Sequence, residues 1–414
     1  MASSSRLPAI AAAAGWVISR AIVLILFIGP ENFVQGDVQY YFGRMNELFT
    51  GTSPSQLLVE YPTPVMWLLA IPYGLGAGTQ GGFVTAFIVV MMALDGGALL
   101  LLWRGARRAG VDPRPAAWFW IGFVLVMGPI TYLRLDLLTA FTGVLGVLAL
   151  GTTRAGAMTG VGAAIKLWPA VMWPATMTDR KQVVRSTVAF VATGGVLALV
   201  SLIWAGWGRL VSPLTWQSDR GLQIESVWAT PAMIAHALWP DVYTVNYSNY
   251  QAFEVFGPID GPLLGAASVS LIVGVLVIVG LYVLWLRRPQ RALEEAGVLM
   301  IVATAIMIVT NKTFSPQYLI WLAGPIAATL ALCPRGRPFA RTLNWTAIWM
   351  LVLTAATQVI YPVMYNYLDG YASGPLVPVT TALLAVRNAG VVALTVWLIV
   401  TLARRFWKRP ALEQ

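Results

Sequence analysis

Long apolar stretches recur along the whole chain and are separated by short polar segments. They cover residues 8–28, 62–76, 83–103, 115–131, 135–151, 156–177, 186–205, 262–286, 294–310, 316–333, 342–361 and 375–402. About 20 consecutive apolar residues are enough to cross a bilayer as a helix. A β-barrel is excluded, because its strands are short and alternate between apolar and polar positions. The pattern therefore predicts an all-α polytopic membrane protein.

Two of these stretches, 62–76 and 135–151, are the shortest and are flanked by proline or turn residues. If every stretch crossed the membrane, the basic segment RGARR (104–108) would lie on the side opposite to the other basic segments. We therefore expect the two short stretches to be re-entrant or half-spanning. This gives about ten full spans and two partial ones, or 10–12 transmembrane or half-spanning helices.

The composition supports a membrane protein, since 58% of the residues are hydrophobic and only 11% are charged, against about 25% charged residues in soluble domains. The net charge of +10 does not indicate nucleic-acid binding, because the basic residues lie in short clusters between apolar stretches, as in cytoplasmic loops. These clusters are RGARR (104–108), DRKQVVR (179–185), RRPQR (287–291), PRGRPFAR (334–341) and RRFWKR (404–409). They predict a multi-pass protein of the plasma membrane with a cytoplasmic C-terminus.

The first stretch follows a short head and lacks a signal-peptide cleavage pattern, so we expect a retained helix. The same alternation places 206–261, 311–315 and 362–374 outside. We expect a single integral membrane domain over residues 1–414. It divides into an N-terminal module (1–205) with an external loop (30–61), a large external loop (206–261) and C-terminal helices (262–414).

The segment DVQYYFGRMNELF (37–49) predicts a short amphipathic helix at the membrane surface. Its apolar residues recur at three- and four-residue spacing, at Val38, Tyr41, Phe42, Met45, Leu48 and Phe49. Asp37 begins this helix. Its carboxylate is either an N-cap, which the sequence alone favours, or a catalytic base.

Several charged residues lie within or beside apolar stretches, namely Arg20, Asp95, Arg134, Asp136, Lys166 and Arg387. Charges in hydrocarbon are costly and indicate functional sites, unless they form structural ion pairs. We favour such a pair for Asp95 and Arg387, and we place Arg134 and Asp136 at the interface. Lys166 has no acidic residue nearby in the sequence, which predicts an anionic ligand. Lys312 lies at the outer surface, where snorkelling would also explain it.

The loop 206–261 is rich in Trp, Tyr, Asn and Gln. This composition suits either sugar binding or an interfacial aromatic belt, and the residues do not distinguish the two. His236 is the only histidine and Cys333 the only cysteine. We expect His236 to be structural and predict no metal site.

In combination these segments resemble glycosyltransferase family 87, a group of GT-C membrane glycosyltransferases. The resemblance begins at Arg20 and continues through Gly36-Asp37 and Glu60-Tyr61-Pro62. It also includes AAIKLWPAV (163–171), QSDRGLQIES (217–226) and NKTFSPQYLIWL (311–322). The family comprises actinobacterial mannosyltransferases and arabinofuranosyltransferases that use polyprenyl-phosphate sugars. Some of its mannosyltransferases carry a histidine pair near the position of Gln317-Tyr318, which this chain lacks.

The resemblance implies a polyprenyl-phosphate sugar donor, transfer at the outer face and Asp37 as the catalytic base. We therefore expect inverting transfer, of mannose in preference to arabinofuranose, to an envelope glycolipid or glycan, without a metal ion or cofactor. The expected donor-phosphate ligands are Arg20, Lys166, Lys312 and Arg134. The expected acceptor or sugar ligands are Tyr61, Gln317, Trp216, Arg220 and Glu225.

Two other classes of protein fit the same residues. A flippase or transporter of a polyprenyl-linked sugar would also need a lipid groove and cations within the membrane. It would not need an external base, and the internal repeat that many transporters show is not visible here. A non-catalytic subunit that binds a lipid carrier would bind the donor without transferring its sugar.

Overall fold

A computed structural model describes residues 7–407, so the last two residues of the basic segment 404–409 lie outside the described part. Among the described residues, eight helices are long and apolar enough to cross a membrane. The α-helices of the described part, both the long and the shorter ones, are α1 (Leu7–Ile28), α2 (Gly36–Phe49), α3 (Pro64–Leu75), α4 (Gln80–Arg108), α5 (Arg114–Met127), α6 (Asp136–Leu148), α7 (Thr153–Ile165), α8 (Arg180–Asp219), α9 (Thr230–Leu238), α10 (Asp260–Leu286), α11 (Leu293–Thr310), α12 (Tyr318–Leu332), α13 (Ala340–Gln358) and α14 (Leu376–Trp407). The predicted all-α polytopic class is confirmed.

One antiparallel hairpin, β1 (Thr244–Ser248) and β2 (Ala252–Phe256), interrupts the helices within the predicted external loop. Asn246 lies opposite Glu254 in its register. The loop is otherwise more helical than its polar sequence suggests. Helix α8 continues to Asp219 after a sharp bend at Gly206, whose φ of 83° favours glycine.

The described residues contain eight helices long enough for a full span, against about ten expected, and three shorter apolar helices, so the total of 11 agrees with the predicted 10–12 transmembrane or half-spanning helices. The stretches 62–76 and 135–151 do form short helices, α3 and α6, as expected. However, the stretch 156–177 is broken after α7 by Lys166, whose backbone is extended, and it continues as a 3-10 helix. The stretch 316–333 contains α12, whose 15 residues extend only about 22 Å at 1.5 Å per residue. Neither of these stretches reaches the roughly 30 Å of a bilayer core as one helix.

Helix α12 instead forms part of the protein interior. All of its residues from Tyr318 to Ala331 are buried, as expected for a helix that is apolar on every side. Gly324 on α12 approaches α6 so closely that a Cβ atom there would lie 2.3 Å from the Ala140 carbonyl oxygen. The core around α12 is continuous, and its buried residues run from Val23 to Phe406.

The described residues of all five basic segments lie at one end of the helices. Contacts between loops join them, since Arg335 pairs with Asp112 beside the RGARR segment and Arg337 pairs with Glu294. In addition, Arg288 donates to the Arg405 carbonyl, and Arg291 donates to the carbonyl of Met177. The loops that precede α3, α9 and α12 pack together at the other end. This separation of charge is the arrangement expected of positive-inside topology.

The predicted pair of Asp95 with Arg387 is wrong. Asp95 of α4 instead binds Arg20 of α1 in a bidentate ion pair with distances of 2.8 and 2.7 Å. Asp95 also accepts hydrogen bonds from the side chains of Trp16, Trp120 and Tyr132. Both charged side chains are almost completely buried. Arg20 is therefore a structural residue that joins α1 to α4, rather than a ligand of the predicted phosphate.

We predict that Asp95→Asn will destabilise the protein strongly, because it leaves the Arg20 guanidinium buried without its counter-charge. Removal of one partner of a buried pair costs about 3–5 kcal/mol. Thermal unfolding in detergent, followed by tryptophan fluorescence, measures this effect.

The matched control is Glu47→Gln, which removes a solvent-exposed ion pair with Arg44 and is expected to cost about 1 kcal/mol or less. The double variant Arg20→Met/Asp95→Leu should recover part of the loss, since no buried charge remains. Equal melting temperatures for Asp95→Asn and Glu47→Gln would contradict the structural role of this pair.

Candidate active site

Several loops surround a cavity of about 270 Å³ at the end of the helices opposite to the basic segments. Six of the ten residues predicted for the site line it, namely Asp37, Tyr61, Lys166, Trp216, Arg220 and Gln317. They come from the start of α2, the loop before α3, the end of α7, the end of α8 and the loop before α12. The structure thus brings together residues that lie up to 280 positions apart.

Asp37 is the second residue of α2 and does not cap it. The residue at the N-cap position is Gln35, and the structure shows no capping hydrogen bond from its side chain. The Asp37 carboxylate instead forms an ion pair with Nε of Arg134 at 2.9 Å, and 43% of the Asp37 side chain is exposed. The cap interpretation is therefore wrong, and the carboxylate is accessible from the cavity.

Arg134 lies behind Asp37 and is not a cavity-lining residue. It is buried and donates to the carbonyl oxygens of Val34 and Leu133 at 3.1 and 2.9 Å. Its remaining terminal nitrogen contacts the Tyr361 hydroxyl at 3.4 Å. The expected role of Arg134 as a phosphate ligand is not supported by these contacts, which make it a positioning residue for Asp37.

Lys166 has an acidic partner that its local sequence does not reveal. Its Nζ atom lies 2.7 Å from the Asp136 carboxylate, 30 residues earlier in the chain. The ammonium group also lies 5.8, 5.3 and 5.0 Å from the ring centres of Tyr61, Tyr318 and Trp321. An anionic ligand was the expected counter-ion of Lys166, but Asp136 already supplies a counter-charge. Because 20% of the Lys166 side chain is exposed, it still presents positive charge to the cavity.

Arg220 is the second cation of the cavity. Among the described residues, its guanidinium forms no ion pair, and it lies just beyond the last residue of α8. A guanidinium can donate two parallel hydrogen bonds to phosphate or carboxylate oxygens. Arg220 was predicted to bind the acceptor or sugar, but its charge equally suits a phosphate.

Lys312 holds the backbone at the end of α8, next to Arg220. Its ammonium group donates to the backbone carbonyls of Ser218, at 2.8 Å, and Arg220. Burial lowers the pKa of Lys312 from its usual value. The predicted contact of Lys312 with a donor phosphate is not supported, since its hydrogen bonds instead fix the backbone that carries Arg220.

Glu225 is also removed from the cavity. It forms an ion pair with Arg387 of α14 at 3.1 Å, and both side chains are fully buried. Burial raises the pKa of Glu225 to about 7, although the Arg387 guanidinium opposes this rise. The expected sugar-binding role of Glu225 is therefore not supported.

His236 contacts the Tyr243 carbonyl at 2.9 Å, which fits the structural role expected for it.

Glu60 is a cavity-lining acid to which the sequence analysis assigned no role. Its carboxylate accepts a hydrogen bond from the Tyr40 hydroxyl at 2.9 Å, and burial raises the pKa of Glu60 above its usual value. The loop that carries it is held by Arg209 of α8, which donates to the carbonyls of Leu57 and Leu58. The sequence could have indicated a role for Glu60, because it directly precedes the predicted site residue Tyr61 in a segment that resembles the family.

An apolar groove of about 200 Å³ lies beside the cavity, between α3, α7 and α8. Pro62 and Leu167 line the groove, and their sequence neighbours Tyr61 and Lys166 line the cavity. The small residues Ala163, Ala164 and Gly194 also line this space. A molecule with a charged head and an apolar tail could therefore occupy both spaces.

The fold and this cavity define a multi-pass membrane protein with a charged site beside an apolar groove. The model of glycosyltransferase family 87 matches residues 59–293, more than half of the chain. The chain therefore belongs to glycosyltransferase family 87. The matched range includes Lys166 and Arg220, whereas Asp37 precedes it. A search of curated proteins gives no match.

We predict that Lys312→Met will loosen the backbone at residues 218–221. Loss of the two hydrogen bonds from the ammonium group removes about 1 kcal/mol or more of local stability, which is roughly a five- to tenfold change in exchange rate. Hydrogen–deuterium exchange measured by mass spectrometry on peptides covering 216–226 tests this.

Arg220→Met provides the matched control, since it removes a neighbouring cation without removing a tether to the backbone. Its exchange in the same peptides should equal that of the unmodified protein. Unchanged protection in Lys312→Met would show that this backbone is held by other contacts.

Proposed function

We propose that this protein transfers a sugar, mannose in preference to arabinofuranose, from a polyprenyl phosphate to a glycolipid or glycan of the cell envelope. The observation that carries this proposal is the cavity in which Asp37 faces the cations Lys166 and Arg220 beside an apolar groove. A polyprenyl-phosphate sugar has the three matching parts, namely a sugar, an anionic phosphate and an apolar tail. Membership of the GT-C superfamily and of its actinobacterial polyprenyl-dependent group is part of the same proposal.

In the proposed reaction, Asp37 acts as a general base. Its carboxylate takes the proton of an acceptor hydroxyl as that oxygen attacks the anomeric carbon of the donor sugar. The bond between the anomeric carbon and the phosphate oxygen breaks, and its electron pair leaves with the polyprenyl phosphate. Attack from the side opposite to the leaving group inverts the anomeric configuration. Arg134 orients the Asp37 carboxylate throughout.

The cations of the cavity stabilise the leaving phosphate. Preorganised positive groups are most effective where charge develops in the transition state and water is excluded. Asp136 holds the Lys166 ammonium group in place, and Lys312 fixes the backbone that carries Arg220. Lys166 and Arg220 therefore take the role that the sequence analysis distributed among Arg20, Lys166, Lys312 and Arg134. This scheme uses no metal ion or cofactor.

The groove between α3, α7 and α8 accepts the first part of the polyprenyl tail. Each buried CH₂ group contributes about 0.8 kcal/mol to lipid binding. Tyr61, Trp216 and Gln317 line the same cavity and remain the proposed contacts of the acceptor or sugar. The basic segments at the opposite end support a cavity at the outer face and a cytoplasmic C-terminus, by the positive-inside rule.

The substitution Asp37→Asn is expected to lower kcat about 10²–10⁴-fold, the usual contribution of a general base, with little change in donor affinity. The assay uses purified protein in nanodiscs, polyprenyl-phosphate mannose and polyprenyl-phosphate arabinose as parallel donors, and an envelope-lipid extract as acceptor. Donor binding is measured separately on the same samples.

Glu47→Gln is the matched control, since it removes another carboxylate of α2 at an exposed position. Equal transfer by Asp37→Asn and the unmodified protein would refute the role of the base. Donor translocation without transfer would favour a flippase, and donor binding without either would favour a lipid-carrier subunit.

A second prediction concerns the apolar groove. Gly194 lines it, and a Cβ atom added there would meet no atom within 4 Å. Gly194→Phe should therefore fill the groove without disturbing the helix packing. We expect KM for a long-chain polyprenyl donor to rise about tenfold, a loss of about 1.4 kcal/mol. KM for a donor with a tail too short to reach the groove should remain unchanged.

Gly195→Phe is the matched control. Gly195 also has open space around its Cβ position, but it is exposed and does not line the groove. Identical kinetics of Gly194→Phe and Gly195→Phe with the long-chain donor would place the tail elsewhere.

A further inference from the structure

A second, more open groove adjoins the cavity on the surface of the β-hairpin. Its volume is about 560 Å³, roughly twice that of the cavity. Tyr247 and Tyr250 line both spaces, so the groove and the cavity are neighbours. Small-molecule sites usually occupy about 300–1,000 Å³. The groove alone reaches this range, whereas the cavity falls just below it.

The alternation of side chains along the hairpin explains why this surface is polar. Val245, Phe253 and Val255 point to one face and pack into a small hydrophobic core. The other face carries Asn246 and Ser248 on β1 opposite Glu254 and Ala252 on β2. In a strand, residues two positions apart share a face. The apolar face is thus used for folding, whereas Asn246 on the polar face is exposed and can contact a ligand.

The chemistry of the groove favours a neutral sugar chain. Asn246 and Ser248 supply an amide and a hydroxyl group, and Phe256 adds an aromatic surface that is 38% exposed. Amide, hydroxyl and carboxylate groups can each bond to sugar hydroxyls, and aromatic rings can cover the apolar faces of sugars. The charged residues that line the groove are the acids Asp219 and Glu254, which disfavour a phosphate or another anion.

The groove is also held firmly in place relative to the cavity. The Glu254 carboxylate accepts a hydrogen bond from the backbone of Gly221 at 3.1 Å, so β2 is joined to the segment that carries Arg220. The backbone of Val255 donates to Leu222, and that of Ile224 donates to Phe253. Through these bonds, residues 222–224 pair with β2 as a short third segment of the sheet. A ligand in the groove is therefore positioned relative to Asp37.

We propose that this groove binds the part of a neutral glycan acceptor that lies beyond the sugar undergoing glycosylation. The proposal rests on the proposed transferase function and specifies its acceptor as a chain of more than one sugar. The terminal sugar lies at Asp37, and the preceding sugars follow the path past Tyr250 to the face of the hairpin that carries Asn246 and Phe256.

The first test compares acceptors of different length. Methyl mannoside and mannotriose, and the corresponding arabinofuranosides, are offered with the polyprenyl-phosphate donors to the full-length protein in nanodiscs. We expect kcat/KM to be about tenfold higher for the trisaccharide, the effect of one or two added hydrogen bonds. Equal kcat/KM for the short and long acceptors would overturn the proposal while leaving the transferase function intact.

The second test uses variants of the hairpin. Asn246→Leu keeps a side chain of similar size but removes its hydrogen bonds, and Phe256→Ala removes the ring. Each should lower the trisaccharide preference about two- to tenfold. Asp241→Asn, an exposed site just before the hairpin and outside the groove, is the control and should keep the full preference. A preference that persists in both hairpin variants would overturn the proposal.

A binding measurement separates the failure of this proposal from that of the proposed function. Saturation-transfer NMR with mannotriose on Asp37→Asn protein reports glycan contact without turnover. Contact that is lost in Asn246→Leu would support the groove even if the unmodified protein transferred no sugar. Absence of contact, or saturable binding of a basic peptide in place of the glycan, would overturn the assignment of this groove.

Discussion

The cost of placing a charge away from water organises this protein. An ionised side chain in hydrocarbon needs a partner of opposite charge and further hydrogen bonds. Asp95 meets this requirement for Arg20 and joins α1, α4 and α5 at one point. Asp136 meets it for Lys166, where α6, α7 and α12 converge. The same pairs that make the buried charges tolerable also decide which helices become neighbours.

The same kind of ion pairing positions the two charged groups of the site. Arg134 and Asp136 are two residues apart, in the turn that precedes and begins α6, and each holds one charge of the cavity. Arg134 holds Asp37, the proposed base, and Asp136 holds Lys166, a proposed phosphate ligand. A single turn thus sets the relative position of the two groups, which the proposed reaction needs on opposite sides of the sugar. The side chains of Arg134 and Asp136 are themselves buried and paired, so they position the two cavity charges without lining the cavity.

The cavity and the two grooves beside it differ in polarity, as do the parts of the proposed substrates. The groove beside α3 and α8 is apolar, the cavity is charged, and the groove on the hairpin is polar with acidic residues. The first of these surfaces is lined by the start of the short helix α3, at Pro64, and by residues of α7 and α8 such as Gly160 and Gly194. In the proposed function, the tail, the phosphate and the acceptor each meet the surface whose chemistry suits them.

The sequence by itself determined the all-α membrane class, the short α3 and α6, the amphipathic α2 and six of the residues that line the cavity. These features depend on local hydrophobic periodicity or on short motifs around residues such as Asp37 and Lys166, both of which are visible in a linear chain. Only the tertiary structure decided which charges pair, because the partners of Arg20 and Arg387 lie 75 and 162 residues away. Burial likewise depends on contacts between distant segments, so the sequence could not show that α12 is an interior helix rather than a membrane span.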